Sequence, residues 1–133
     1  MHHQRTVMIV EDEPAIRGLL SMTLEDEDYR VETAADGLEA LEKVRRRPPD
    51  AILVDLILPV MDGWSLIDTL EADTDVGEIP VVAVSATNRY AAVGEHGVCA
   101  FLSKPFDVDT LLTVLADVIV EREARDLLRD DSA

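Results

Sequence analysis

Five polar side chains stand directly after, or at the end of, apolar runs of strand length: Glu11, Asp12, Asp55, Ser85 and Lys104. If these side chains meet, their three carboxylates repel one another, and a hard divalent cation such as Mg²⁺ would relieve that repulsion. The cation would keep Asp55 ionised as a nucleophile, while Lys104 and Ser85 could hold oxygens of a transferred phosphoryl group. The set therefore suits phosphoryl transfer, which depends on positioning and charge stabilisation.

The elements that must position these residues follow from the alternation of short apolar runs with helical periods. Strands are predicted over residues 6–10, 29–34, 51–54, 80–86 and 100–103, and helices from Pro14, after Asp36, from Trp64, over residues 89–95 and from about Asp107. Strands that are apolar on both faces, alternating with amphipathic helices, indicate a doubly wound α/β fold with a parallel sheet. In such sheets ligands bind beyond the carboxyl ends of the strands, where the polar set falls.

Each polar residue also has a purely structural interpretation. Asp12 or Glu13 could cap the first helix, Ser85 could close a strand, and Lys104 could be an ordinary surface residue. A purely structural role does not explain Asp55, because burying a lone carboxylate directly after a buried strand costs free energy that no structural contact in the sequence pattern offsets. The joint placement at four strand ends, rather than any one residue, supports a functional site.

The chain of 133 residues fits one domain, predicted over residues 5–121, followed by a helical extension or tail over residues 122–133. Its net charge of −16 argues against nucleic acid and anionic membranes as direct partners. Cys99 is the only cysteine and no apolar run reaches the roughly 20 residues of a membrane span, which fits a cytoplasmic protein. The extension is a frayed tail, a dimer contact or the start of a signalling helix of a longer protein, and a monomer or weak dimer is expected.

Four motifs carry a resemblance to a known family: VEDEP at residues 10–14, PDAILVDLILPVMDGW at 49–64, PVVAVSA at 80–86 and FLSKPF at 101–106. In this order and spacing they resemble the receiver domains of two-component response regulators, such as the stand-alone chemotaxis receiver. The resemblance covers essentially residues 5–120. It implies a flavodoxin-like sheet of five parallel strands in the order 2-1-3-4-5, with five helices.

The resemblance also implies a phosphoacceptor and a metal site. Asp55 is similar to the residue that takes a phosphoryl group from a sensor histidine kinase or a histidine phosphotransfer protein. Asp12 and Asp55 would bind Mg²⁺ (or Mn²⁺), Glu11 would act mostly through water, and Ile57 would contribute its backbone carbonyl. The chain would then be a signalling domain that acts by protein contact, and not an enzyme with an external substrate.

A switch is implied by the remaining motif residues. Ser85 resembles the hydroxyl that moves towards the phosphoryl group, and Phe101 the aromatic ring that swings inward with it. Lys104 resembles the family's phosphate-binding lysine, and its bond to Pro105 is expected to be cis.

The chain departs from the family pattern in three places, one of which is Phe101, a ring without the hydroxyl of a tyrosine switch. The interval from Ser85 to Phe101 is about one helical turn shorter than expected. Ile57 and Thr87 occupy positions that tune attack of water on the acyl phosphate, and apolar Ile57 predicts slow self-dephosphorylation. Two alternatives stay open: a phosphorylation-independent adaptor, and a haloacid-dehalogenase-like phosphatase, whose D-x-D arrangement Ile57 would break.

Overall fold

The computed structural model describes residues 4–86 and 98–131, which form one parallel sheet with helices on both faces. The strands are β1 (Thr6–Val10), β2 (Arg30–Ala34), β3 (Ala51–Asp55), β4 (Val81–Ser85) and β5 (Val98–Ser103), and the helices are α1 (Pro14–Asp26), α2 (Gly37–Arg46), α3 (Gly63–Ala72) and α4 (Val108–Asp131). All neighbouring strands pair in parallel, in the order β2-β1-β3-β4-β5. The predicted fold class and strand order are confirmed.

The helix count differs from the expectation of five, because the described residues contain four helices. The helical piece expected over residues 89–95 falls between β4 and β5, outside the described residues. β5 begins at Val98, two residues before the predicted start. Its first residue is buried and pairs with Val81, but the exposed Cys99 interrupts the apolar run, and the register shifts between Val81 and Val82.

Two apolar clusters, one on each face of the sheet, hold the strands. Alternate residues of β1 and β3 enter different clusters: Met8 and Ile52 pack with α2 and α3, whereas Ile9 and Leu53 pack with α1 and α4. This alternation is the period of two that strand geometry imposes. β2 is the more exposed edge strand, as its polar sequence predicts. The central strands are therefore fixed from both sides, and so are the residues at their ends.

Two aspartates fix helix starts near the carboxyl edge of the sheet. Asp36 Oδ1 accepts the Glu39 N–H at 2.8 Å at the start of α2, and Asp62 Oδ1 accepts the Ser65 N–H at 2.9 Å at the start of α3. Such caps satisfy amide groups that a helix cannot pair internally. The cap at Asp62 also ends the loop that leaves Asp55, so both ends of this loop are anchored.

α4 continues without interruption through residues 122–131, for 24 residues in all. Two long-range ion pairs join this part of the helix to the domain: Arg5 contacts Glu123 with both Nε and Nη2 at 2.8 Å, and Arg129 contacts Glu78. The division of the chain at residue 121 stays a prediction. Within the two described ranges, no helix is long and apolar enough to span a bilayer.

Candidate functional site

The carboxyl ends of β1 and β3 bring three carboxylates together. β1 and β3 are neighbours with Val10 opposite Val54, so Glu11 and Asp55 emerge side by side. Glu11, Asp12 and Asp55 can each place one oxygen within 4.8 Å of the others. Asp12 is exposed, whereas Glu11 and Asp55 are only 4% and 8% exposed. The arrangement is an acidic cluster with one face open to solvent.

Lys104 reaches this cluster from the end of β5. Its Nζ donates to Asp55 Oδ2 at 2.9 Å and lies 3.6 Å from Glu11 Oε1. Its backbone N–H donates to the Ser85 carbonyl at 2.8 Å, and the Lys104–Pro105 peptide bond is cis. Burial alone would lower the pKa of Lys104, but the hydrogen bond and charge of Asp55, together with Glu11, outweigh it and raise that pKa. The ammonium group is therefore held in its charged form.

Glu11 experiences the opposite electrostatic balance. Burial raises the pKa of Glu11, and the nearby charge of Asp55 raises it further. The Glu13 N–H, which donates to Glu11 Oε2 at 3.1 Å, and the Lys104 ammonium offset only part of this effect. Because one lysine does not balance the carboxylates around it, the site favours an additional cation.

The loop after β3 fixes the orientation of the Asp55 side chain. The Ile57 N–H donates to Asp55 Oδ1 at 3.0 Å, so one carboxylate oxygen is held by the backbone and the other by Lys104. The Ile57 side chain is 68% exposed beside the carboxylate. Farther along the loop, Val60 adopts φ 68°, a left-handed conformation that is strained for a β-branched residue, and its side chain is 79% exposed.

Gly63 is required by a close backbone approach beneath Asp55. Its N–H donates to the Leu56 carbonyl at 3.1 Å. A Cβ at this position would lie 2.6 Å from Leu56 Cα and 2.7 Å from the Asp55 carbonyl oxygen, well inside van der Waals contact. The first residue of α3 therefore packs directly on the backbone that carries Asp55.

The predicted switch residues lie in β4 and β5, the strand pair whose second member leads to Lys104. Ser85 is the last residue of β4, is 2% exposed and stands opposite Ser103. Phe101, in the middle of β5, is partly buried against the cluster beneath α2 and α3. Thr87 lies outside the described residues. The structure thus brings Ser85 and Lys104 to one sheet edge, with Phe101 two residues before the end of β5.

Sequence reasoning missed one residue that supports the acidic loop. Arg17 Nη1 donates to the Glu11 carbonyl at 2.9 Å, with the Asp12 carbonyl 3.4 Å away. The guanidinium thereby joins the first turns of α1 to the two residues that follow β1. Its position five residues after Asp12, in the first turns of a helix that begins at Pro14, is a signal from which this contact could have been predicted.

Comparison with known proteins agrees with this geometry. The family described as "Response regulator receiver domain" matches residues 7–116. Response regulator GtcR of Aneurinibacillus migulanus is 38% identical over 107 residues, which cover 77% of this chain and 43% of that protein. The first curated relatives extend well beyond the match: the chain spans 57% of response regulator Rre1 of Synechocystis and 9% of hybrid signal transduction histidine kinase D of Dictyostelium discoideum.

Solved receivers have the same fold. Chemotaxis response regulator CheY4 of Vibrio cholerae is 33% identical with a TM-score of 0.82, over 87% of this chain and 99% of that one. The receiver domain of sensor histidine kinase PA1611 from Pseudomonas aeruginosa, solved with a magnesium ion in its active site cleft, is 30% identical with a TM-score of 0.81, over 88% and 98%. These likenesses do not favour the adaptor or the phosphatase alternative. The chain belongs to the response regulator receiver domain family.

Proposed function

We propose that this receiver accepts a phosphoryl group on Asp55 from a phosphohistidine of a sensor histidine kinase or a histidine phosphotransfer protein. One observation carries the proposal. Asp55 is a buried carboxylate with one oxygen held by the Ile57 N–H and the other by Lys104. A nucleophile needs this kind of fixed geometry, since positioning supplies much of the catalysis in phosphoryl transfer.

The donor set fits Mg²⁺, or Mn²⁺. Carboxylate and carbonyl oxygens are the ligands that these hard cations prefer, and the cluster lacks the positive charge to balance its carboxylates. Glu11, Asp12, Asp55 and the Ile57 backbone carbonyl would hold the ion, with Glu11 acting mostly through water. When bound, the ion neutralises charge on the carboxylates and on the incoming phosphoryl oxygens.

The residues of the chain have distinct tasks in the transfer. An Asp55 oxygen forms the new bond to phosphorus while the phosphorus–nitrogen bond of the phosphohistidine breaks and its electron pair stays on the imidazole. Lys104 exchanges its contact with the free Asp55 carboxylate for one with a phosphoryl oxygen. The Ser85 hydroxyl then moves towards another phosphoryl oxygen, and Phe101 follows it inward, changing the surface beside β5.

Histidine kinases among the relatives of this chain support the partners named in this proposal. Relatives include hybrid signal transduction histidine kinase D and sensor histidine kinase TmoS of Ectopseudomonas mendocina. The acidic surface favours a phosphorylation-dependent protein contact as output rather than direct DNA binding. The chain itself acts as a signalling domain, and its single cysteine fits a location in the reducing cytoplasm.

Intact mass measurement after incubation with acetyl phosphate tests the proposal. The native chain should gain one phosphoryl group with Mg²⁺ and none after chelation, and Asp55→Asn should gain none. Asp109→Asn, a change of the same chemistry in the first turn of α4, should label like the native chain. A native chain that stays unmodified while a reference receiver labels fully would contradict the proposal, as would full labelling of Asp55→Asn.

A further inference from the structure

We propose that the chain has a second binding site, for a small phosphate-type oxyanion, in a cavity between α4 and the start of β5. The cavity has a volume of about 280 Å³. Three arginines of α4 line it, Arg122, Arg125 and Arg129, together with Glu78 before β4 and Cys99 in β5. None of these residues belongs to the acidic cluster around Asp55.

The position of the cavity separates it from the phosphorylation site. Glu78 and Cys99 lie at the amino ends of β4 and β5, whereas Asp55 and Lys104 lie at or just beyond the carboxyl ends of β3 and β5. A strand rises about 3.3 Å per residue, so the length of the sheet lies between the two places. A ligand in the cavity would therefore not compete with a phosphoryl group on Asp55.

The lining of the cavity has an excess of positive charge in a chain whose net charge is −16. Arg129 is neutralised by two contacts with Glu78, and Arg122 lies 3.5 Å from Asp126. Arg125 has no carboxylate within ion-pair distance among the side chains of residues 4–86 and 98–129, which are the ones the structure describes. Three arginines and two carboxylates leave the lining with one net positive charge. Salt ions screen charges more than about 8 Å apart, so acidic residues elsewhere on the surface do not cancel this charge.

A hydrogen-bond donor in the same lining lacks an acceptor. Arg122 Nε is buried and, although it lies 3.5 Å from Asp126 Oδ2, it makes no hydrogen bond in the described part of the chain. Buried donors are nearly always paired, and an orphaned one costs free energy that a ligand oxygen would recover. Guanidinium groups bind phosphate oxygens through planar, paired donors. The free charge of Arg125 and the unmet donor of Arg122 together favour an oxyanion with several acceptor oxygens.

The size of the cavity limits the ligand. Its volume is just below the range of about 300–1,000 Å³ typical of pockets for larger organic ligands. Inorganic phosphate, pyrophosphate or a small phosphate ester fits this space. Glu78 and Asp126 already engage two of the three guanidinium groups, so Arg125 should provide the main contact to the ligand.

Cys99 provides a direct measurement, because it lines the cavity and is the only cysteine. We expect pyrophosphate, compared with sodium chloride at equal ionic strength, to slow alkylation of Cys99 by the neutral reagent iodoacetamide, with a saturable dependence on concentration. In Arg125→Gln the apparent Kd should rise about tenfold, as for the loss of one charge-assisted contact. Arg30→Gln, an exposed arginine of β2 outside this lining, is the matched control and should keep the native Kd.

A further variant and a second anion test which groups of the cavity and of the ligand are responsible for protection of Cys99. Arg122→Lys keeps the charge but removes the planar donor pair, so it should also weaken protection of Cys99. Citrate at the same ionic strength tests whether carboxylates suffice, and protection as strong as that by pyrophosphate would overturn the assignment to phosphate-type anions. Protection equal to that by sodium chloride, or unchanged in Arg125→Gln, would overturn the site itself. Asp55→Asn should leave every one of these results unchanged.

Discussion

The contact between Gly63 and the end of β3 makes Gly63→Ala an informative perturbation. The added methyl carbon would lie 2.6 Å from Leu56 Cα and 2.7 Å from the Asp55 carbonyl oxygen. Carbon atoms pack at about 3.5–4.0 Å, so the start of α3 and the end of β3 must separate by roughly 1 Å. Both neighbours are backbone atoms, which cannot rotate away as a side chain would.

The cost should follow that of overpacking a core, about 1–3 kcal/mol of unfolding free energy. A domain of this size would then unfold several degrees lower in temperature. Because the displaced backbone carries Asp55, phosphorylation by acetyl phosphate should slow as well; a misplacement of about 1 Å can cost up to about a hundredfold in rate. Urea unfolding followed by circular dichroism gives the first quantity, and the rate of the mass increase gives the second.

Gly18→Ala is the matched control in α1. Outside the backbone of α1 itself, no atom of the described residues lies within 4 Å of the Cβ it would add, and an alanine inside a helix is favoured over glycine by about 0.5–1 kcal/mol. The two substitutions should therefore change stability in opposite directions. A Gly63→Ala protein that is as stable as the native chain and labels at the native rate would refute the packing argument. A loss of stability with a native labelling rate would mean that α3 alone absorbs the displacement.

Four further substitutions test the site, the loop after β3 and the start of α2. Without divalent cations, Glu11→Gln should stabilise the fold at pH 7. The pKa of Glu11 is raised in the folded chain, so this residue contributes stability below about pH 4.5, where it is protonated, and the contribution is lost as the pH rises through the folded-state pKa. Glutamine stays neutral at every pH and avoids this loss. Glu39→Gln should instead destabilise the fold at pH 7. The hydrogen bond from the Ala35 N–H, and after it Lys43, lowers the pKa of Glu39, so the ionised side chain stabilises the fold above pH 4.5 and this stabilisation is lost in acid. Thermal unfolding from pH 3.5 to 7 checks both signs. Ile57→Asn should speed dephosphorylation about tenfold by holding water near the acyl phosphate, equivalent to roughly 1.4 kcal/mol of barrier; an unchanged half-life would remove Ile57 from that role. Val60→Asn should raise stability by about 1 kcal/mol by relieving the positive φ, and urea unfolding would expose any failure to do so.

The sequence predicts the sheet and the position of its polar edge well, because one physical pattern determines both. Runs that are apolar on both faces must be parallel strands covered by helices, and parallel strands bring their carboxyl ends to one edge. Glu11, Asp55, Ser85 and Lys104 lie there for that reason. The cap at Asp36 was equally predictable, since its determinants lie within three residues.

The remaining features depend on contacts between distant parts of the chain. Arg5 and Glu123 are 118 residues apart, and no local pattern identifies them as partners. The start of β5 at Val98 depends on its pairing with Val81 across an irregular register, which the apolar run alone does not reveal. The requirement for glycine at position 63 comes from how closely α3 approaches β3, a distance that only the folded chain defines.

The strand order divides the site between strands of different local stability. β1 and β3 each pair on two sides, whereas β5 has β4 as its one partner among the described strands and has an irregular register near its start. Amide hydrogens of β1 and β3 should therefore exchange with solvent only through global unfolding, while those of β5 also exchange through smaller openings. Asp55 belongs to the first group of strands, and Phe101 and Lys104 to the second. The nucleophile can thus stay fixed on a time scale on which the strand that leads to Lys104 opens and closes.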